Sequence, residues 1–466
     1  MTTDQRHGAS GAPGAPGAPT TQRQREWILA AVLFGLLVVE GIRDGGFWPS
    51  DALVVALASI VVLVIGMVLV PPDRRSMLLV GSIVLLALWW FVRALTAETI
   101  RSFLPLGASM LAFAAAFVAV RPLVGRAREV AALAVACLGA AGALVGFAGL
   151  VWRWYPMAIP TQTLWRISTT LTYSDAAGLV LGVCLLVALG VELSPPLVRV
   201  TVCLCAGGLL ATQSRGAYVA FACACLLVPW HRYVRFAVPL AAGVALGIAA
   251  VASSPDTSAV PWLAAVVVAA SVVSAVARPD FGSWRASSAT RVVLAVIAAA
   301  LLVAAVAVLH HEIGVRALSP SDQDRASEWW AALHQWRSDP LFGVGPDHLL
   351  TFHAADGTYA HFAHNEYLQV AADGGAIGLA LLLLTGAATA RVARRFDVLS
   401  SCATSGLVCW AVGGAFDFDW HLTFVGLLGG FCVGLAARRD AGRGRHVEHP
   451  PERSDQRGRR TLIRPG

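Results

Sequence analysis

Apolar runs, interrupted by short segments that carry arginine, make up most of this 466-residue chain. A helix of about 20 apolar residues crosses the hydrocarbon core of a bilayer, where every backbone polar group must be hydrogen bonded within the protein. Hydrophobic residues account for 57% of the chain and charged residues for only 14%, and the mean hydropathy is +0.67. This composition excludes a soluble globular domain and predicts an all-α integral membrane protein.

The apolar runs predict about 12–14 transmembrane helices, since several runs are short for a full span. The candidate helices start near Trp27, Ala52, Met77, Phe103, Val130, Ala176, Leu197, Ala217, Phe236, Ser258, Val292, Gly374, Val398 and His421. The predicted division is a disordered tail over 1–26 with a Gly-Ala-Pro repeat, spans over 27–309, one long polar loop over 310–373, spans over 374–437, and a basic tail over 438–466. A segment of that Pro/Gly composition cannot bury a core.

The arginines predict the orientation. With the N-terminus in the cytoplasm, most of the 35 basic residues, all of them arginine, fall in inward loops and in the two tails. That bias is the positive-inside rule, so we expect both termini in the cytoplasm and the long loop outside. A chain without lysine is typical of GC-rich bacteria, which points to a bacterial cytoplasmic membrane. The net charge of +7 therefore needs no nucleic-acid partner.

The long loop holds seven of the twelve histidines. Within it, the segment 324–337 has helical periodicity, with Arg325, Trp329, Leu333 and Trp336 on one face, and Pro340 ends the pattern. One interpretation is an amphipathic helix lying at the membrane interface, where tryptophan is common. The other is that Arg325 presents a permanent, forked hydrogen-bond donor to a site.

A second cluster precedes the next predicted span and reads His361-Phe-Ala-His364-Asn-Glu-Tyr367. A neutral imidazole can take a proton from a hydroxyl near pH 7, and a neighbouring carboxylate can orient it. A histidine in a loop is otherwise an ordinary surface residue. His361 and His364 could also chelate a metal together with Glu366, although the pattern lacks the fuller ligand sets of zinc motifs.

Polar residues outside the loop fall on the same predicted outer side. Arg215, in Ser-Arg-Gly between two apolar runs, is costly at that depth unless it reaches the interface or binds an anion, and a diphosphate suits its bidentate geometry. Arg166 and Asp175 lie on that side too. So do Asp417, Asp419 and His421, for which capping and solvation at helix ends is a sufficient interpretation.

Four of these segments together resemble the O-antigen ligase and Wzy-type O-antigen polymerase superfamily. Thr212–Ala217 resembles its Ser-Arg-Gly turn, and Arg325 with Trp329, followed by Pro340–Pro346, resembles its arginine-headed helix and Pro-Leu-x-Gly-x-Gly signature. His364–Leu368, followed by Asp373–Gly378, resembles its His-Asn-x-Tyr-Leu and Glu-x-Gly-x-x-Gly sequence. Arg166–Asp175 resembles a segment that commonly ends in asparagine. Aspartate replaces the family's asparagine at Asp175 and its glutamate at Asp373.

The resemblance implies a GT-C-like glycosyltransferase, inverting and independent of metal or other cofactors. Its donor would be a polyprenyl-diphosphate-linked glycan at the outer face of the membrane, and its acceptor a glycan, a cell-wall polymer or a protein. Arg215 and Arg325 would bind the diphosphate, and His364 would be the catalytic base. Supporting or acceptor-binding roles would fall to His361, Asn365, Glu366, Tyr367, Trp329, Arg166 and Asp175.

Other classes of protein stay open. A transporter of lipid-linked glycans has many spans too, but it normally shows internal repeats and charges in mid-membrane. A peptidoglycan polymerase of the SEDS class would centre its loop chemistry on an aspartate, and a scaffold would need no chemistry at all. Ligases and polymerases share the motifs, so the sequence does not separate them.

The predicted orientation can be tested by cysteine labelling. In a cysteine-free background, a cysteine placed at Ser321 should react with an impermeant maleimide in intact cells, because the loop is predicted to be external. A cysteine placed at Ser454 should react only after the cells are opened. The reverse pattern of labelling would contradict the orientation.

Overall fold

A computed structural model describes residues 20–161, 164–277, 323–349, 351–353 and 358–437. Its helices, labelled α1 to α15 in chain order, are Thr20–Ile42, Pro49–Leu69, Arg74–Thr96, Leu104–Val120, Gly125–Trp152, Ser174–Gly190, Pro195–Ala211, Arg215–Cys225, Trp230–Arg235, Ala237–Ala252, Pro261–Val276, Gln323–Ser338, Glu366–Val392, Val398–Gly413 and Thr423–Ala436. Two short antiparallel hairpins complete it: β1 (Ala158–Thr161) with β2 (Leu164–Ile167), and β3 (Thr351–His353) with β4 (Thr358–Ala360).

The predicted all-α membrane fold is confirmed. Five helices are long and apolar enough to cross a membrane: Pro49–Leu69, Arg74–Thr96, Ile100–Val120, Gly125–Trp152 and Glu366–Val392. Shorter apolar helices accompany them in the described chain, among them α1, α6, α7 and α15. The candidate near Val292 lies outside the described residues. The helix expected near Gly374 begins earlier, at Glu366, and the hairpins have no counterpart in the sequence analysis.

Small residues let the central helices approach closely. Gly426, Gly430 and Gly434 are spaced four apart on α15, and all three face α4. A side chain at these positions would collide with the α4 residues Ser109, Phe113 and Val120. Such a stripe is how membrane helices gain packing contacts without a hydrophobic driving force between them.

The helix bundle has two ends, which carry different sets of polar residues. At one end, here the arginine end, Arg128 forms an ion pair with Asp397 at 2.6 Å and Arg232 forms one with Glu192. The other end, here the site end, is where α6, α8 and α13 begin and where residues 414–422 join α14 to α15. The residues singled out in the sequence lie at the site end.

Helix α12 is docked to the bundle by contacts between two glycine-containing turns. The turn after α12 donates hydrogen bonds from Val344 N to Ala372 O and from Gly345 N to Asp373 O, both at 2.9 Å. In return, Ala376 N donates to Pro340 O at 2.9 Å. These bonds exist because α13 is interrupted there, which frees its backbone groups for the turn.

The interruption of α13 depends on glycine. Gly375 has φ 65° and ψ −164°, a region that essentially only glycine adopts. Gly343 has φ 74°, and a Cβ atom there would lie 2.5 Å from the backbone of Asp373. Two side chains of α3 bind the same two turns. Arg93 donates to Gly343 O at 2.6 Å, and Trp89 donates to Gly374 O at 2.9 Å.

Replacing Gly375 by alanine tests this docking. We expect Gly375→Ala to lower the free energy of unfolding by about 1–3 kcal/mol or more, since the substitution strains the backbone and adds a clash. The measurement is the thermal unfolding of the detergent-solubilised protein. Gly81→Ala in α3 is the control, because no atom lies within 4 Å of its added Cβ. Equal stability of the two variants would contradict the docking.

Candidate active site

Arg325 joins the loop helix α12 to the segment between α14 and α15. Its Nη1 donates to the backbone oxygen of Phe416 at 2.7 Å, and its Nη2 lies 3.3 Å from a carboxylate oxygen of Asp417 and 3.9 Å from one of Asp175. The Asp417 side chain is only 5% exposed, whereas that of Arg325 is 28% exposed. The arginine therefore neutralises one buried and one half-buried carboxylate, while its own side chain stays partly exposed.

Asp175, in the first turn of α6, is shared between two arginines. Besides Arg325, it pairs with Arg166 of β2 at 3.0 Å. Arg166 also donates from Nε to the backbone oxygen of Thr212 at 2.8 Å, which ties the hairpin to the turn before α8. The hairpin that the sequence analysis did not foresee thus brings Arg166 and Asp175 into the same cluster.

Arg215 is the first residue of α8 and is exposed. The helix starts there because the Ser214 hydroxyl accepts a hydrogen bond from Ala217 N at 3.3 Å, an N-cap. The next residue, Gly216, packs against Phe416, with 2.7 Å between its added Cβ and that of Phe416. Arg215 therefore lies in the turn that packs against Phe416, and Arg325 binds the backbone oxygen of the same residue. Both arginines belong to the site end of the bundle.

His364 precedes α13 and has φ 44°, a left-handed backbone conformation that costs a non-glycine residue about 1–3 kcal/mol. Its Nδ1 lies 2.6 Å from a carboxylate oxygen of Glu328 on α12. Burial lowers the pKa of His364, but the hydrogen bond to Glu328 and the negative charges of Asp417 and Glu328 outweigh it, so the net pKa is raised. The imidazole is thus oriented by a carboxylate and made more basic.

Asn365 and Glu366 hold the segment 414–421 against the start of α13. Asn365 caps the helix by accepting from Leu368 N and donates to Ala415 O at 3.0 Å. Glu366, fully buried, accepts from Trp420 N at 2.6 Å and lies 3.2 Å from His421 Nδ1. Both residues therefore hold in place the segment that carries Asp417.

The two acids and the histidine after α14 are buried, so the interpretation as solvated capping residues at helix ends is wrong for them. Asp417, Asp419 and His421 are 2–4% exposed. Burial raises the pKa of Asp417, as does Asp175, against the opposing charges of His364 and Arg325. Burial and the nearby Asp417 raise the pKa of Asp419 well above its usual range. Tyr173 donates its hydroxyl to Asp417 at 2.8 Å.

The remaining candidates lie at the margin of this cluster. His361 is 55% exposed and faces Asp347 at 3.6 Å, so His361, His364 and Glu366 each engage a different partner. The described residues contain no group of three or more side chains placed to hold a metal ion. Trp329 is half-buried on α12.

Tyr367 faces a cavity of about 520 Å³ inside the bundle. The cavity has an apolar lining that includes Phe113, Trp410 and Trp420, and it extends to Ala393 towards the arginine end. The Tyr367 hydroxyl donates to Ala411 O at 2.7 Å. Tyr367 therefore borders an apolar cavity and directly follows Glu366 of the charged cluster.

Sequence reasoning missed Glu328 and the pairing role of Asp417. A signal existed for Glu328, because it follows Arg325 by three residues and the two share one side of a helix. Asp417 carried no comparable signal. Its partners Tyr173 and Arg325 are distant in the chain, so only the fold brings them together.

Residues 256–383 match a family model, Wzy_C, described as O-Antigen ligase. The matched range contains Arg325, Glu328 and His364, whereas Arg215 and Asp417 lie outside it. No curated protein matches the chain.

Proposed function

We propose that this chain, whose residues 256–383 match the O-antigen ligase family model, is a glycosyltransferase of the O-antigen ligase and Wzy superfamily. It transfers or polymerises glycan from a polyprenyl-diphosphate-linked donor onto an acceptor hydroxyl at the outer face of the bacterial cytoplasmic membrane. The observation that carries the proposal is the meeting of Arg325 and the Arg215 turn with a carboxylate-bound His364 at one end of the bundle.

Arg215 and Arg325 serve the leaving group. As the bond between the sugar carbon and the diphosphate breaks, negative charge grows on the diphosphate oxygens, and two guanidinium groups are suited to stabilise it by paired hydrogen bonds. Asp417 and the Phe416 carbonyl hold Arg325 in place before the donor arrives. Arginine supplies here the positive charge that a metal ion supplies in other transferases.

His364 serves the acceptor. The acceptor hydroxyl attacks the sugar carbon from the side opposite the diphosphate, its proton passes to the imidazole, and the sugar carbon is inverted in one displacement. Because Nδ1 is engaged by Glu328, Nε2 is the nitrogen that takes the proton. The raised pKa of His364 favours that transfer.

The apolar cavity beside Tyr367 suits the polyprenyl part of the donor. Its lining includes Tyr367, the residue after the buried Glu366, and side chains of the apolar helices α3, α4 and α13. A donor that enters from the bilayer places its lipid among apolar side chains and its diphosphate among the arginines.

The outward orientation has a physical basis in the charges. Inward loops of a membrane protein are enriched in arginine, and the arginine end of the bundle carries Arg128, Arg232 and Arg395. The site end then faces outward. Trp152 and Trp154 near that end are more than half exposed, as expected of side chains at a membrane interface.

Arg215 and Arg325, which together form the proposed diphosphate clamp, should be sensitive even to changes that conserve their charge. Arg215→Lys and Arg325→Lys keep the positive charge but lose the fork, so we expect glycan transfer to fall by about 10²-fold or more at normal expression. Transfer is measured with a labelled lipid-linked glycan. Arg337→Lys, an exposed change on the same helix as Arg325, is the control. Full activity of both variants would contradict the clamp and would mean that the arginines only reach the membrane interface. A loss of activity in EDTA that magnesium or zinc restores would favour a metal ion in the site.

The assignment of His364 as the base predicts that its removal lowers the transfer rate without weakening donor binding. His364→Ala should lose about 10²–10⁴-fold in the transfer rate, the usual contribution of a positioned general base, while donor binding changes little. His361→Ala is the matched control, since that histidine is exposed and lies on Asp347, and its effect should be mild. A wild-type rate for His364→Ala together with an inactive His361→Ala would assign the base to His361.

A further inference from the structure

We propose that Glu328 is the positioning residue of His364. Its buried carboxylate holds the imidazole through Nδ1, directs Nε2 towards the acceptor, and stabilises the imidazolium formed during transfer. The inference rests on the proposed function, in which His364 is the base, and it assigns a role to a residue that has no other part in that function.

The contact has the geometry of an orienting hydrogen bond. Glu328 Oε2 lies 2.6 Å from His364 Nδ1, a short, charge-assisted distance. The Glu328 side chain is 1% exposed and that of His364 is 21% exposed. The carboxylate is therefore shielded from water, and this shielding strengthens its electrostatic influence on the ring. The ring itself keeps access to solvent.

The position of Glu328 is set by the packing of α12. A small cluster of Ala332 and Leu349 with Ala363 and Ala372 joins α12 to the residues around His364. Glu328 lies one helical turn before Ala332, so the same packing that buries the alanine brings the carboxylate to the histidine. One helix thus supplies both the diphosphate-binding Arg325 and the carboxylate for the base.

Among the described residues, the charged groups that act on His364 are Glu328 and Arg325 on α12 and Asp417 in the segment after α14. Asp417 is already paired with Arg325 and Tyr173, whereas Glu328 contacts the ring directly. Glu328 is therefore the group whose removal should change the basicity of His364 most.

The proton balance follows from this arrangement. The acceptor O–H bond breaks as its oxygen bonds to the sugar carbon, the proton moves to Nε2, and the electron pair of the sugar–oxygen bond leaves with the diphosphate. The proton on Nδ1 stays between the ring and Glu328. The carboxylate thus faces a full positive charge only after transfer begins, which is when stabilisation accelerates the reaction.

The test is the pH profile of Glu328→Gln. His364 must be neutral to act, so transfer declines as the pH falls through its pKa. Removing the carboxylate charge lowers that pKa, and the acidic limb should move to lower pH by roughly one unit or more. The kcat at the optimum should fall about tenfold or more, because the base is weaker, while KM for the donor stays unchanged.

Asp347→Asn is the matched control, since it removes the carboxylate from the exposed pair with His361. Its acidic limb should coincide with that of the wild type. A Glu328→Gln profile that also coincides with the wild-type profile would overturn the inference. If Glu328→Gln does not fold, Glu328→Asp replaces it, with a lower kcat at unchanged KM expected and a wild-type kcat as the contrary result.

A second measurement separates this inference from the proposed function. Diethyl pyrocarbonate acylates neutral imidazole, so the pH dependence of modification at His364, followed by mass spectrometry, reports its pKa without any transfer activity. The modification curve should shift to lower pH in Glu328→Gln, and an unshifted curve would overturn the pairing. A shifted curve in a protein that transfers no glycan would refute the transferase and keep the pairing.

Discussion

The backbone-to-backbone contact between the turn at Gly343 and the break of α13 at Gly375 is the constraint on which the site depends. A polar helix outside the membrane has little apolar surface with which to stay in one place. Here its C-terminal turn is hydrogen bonded into a membrane helix, and Arg93 and Trp89 lock the junction from α3. Arg325 and Glu328 are held at defined positions because the helix that carries them is anchored at its end.

Charge compensation shapes the rest of the site. Asp417 is buried and Asp175 half-buried, so an unpaired carboxylate would be costly there, and Arg166 and Arg325 neutralise them. The same pairing leaves Arg325 positioned and partly exposed. The acids hold the guanidinium in place, and in the proposed function the same side chain binds the diphosphate.

The proposed base is one of the residues that carry local backbone strain. His364 adopts a left-handed conformation between the packed Ala363 and the helix cap at Asn365. The cap and the buried Glu366 fasten the segment 414–421 to the same point, so the histidine and Asp417 belong to one rigid frame. Strain that is held by surrounding contacts in this way is common where a side chain must be pre-oriented.

The sequence by itself determined the class of fold, most helix positions, the helical loop segment near 324–337 and the resemblance to the O-antigen ligase family, whose model matches residues 256–383. It could do so because apolar period and short motifs are local signals. It also selected His364 and Arg325 as candidate site residues through the motifs around them. The burial of Asp417 and Asp419, the pairing of Glu328 with His364 and the structural use of Glu366 were decided only by the tertiary structure. Each is a contact between segments distant in the chain or on different helices, and a one-dimensional pattern records which side chains exist but not which of them are brought together away from water.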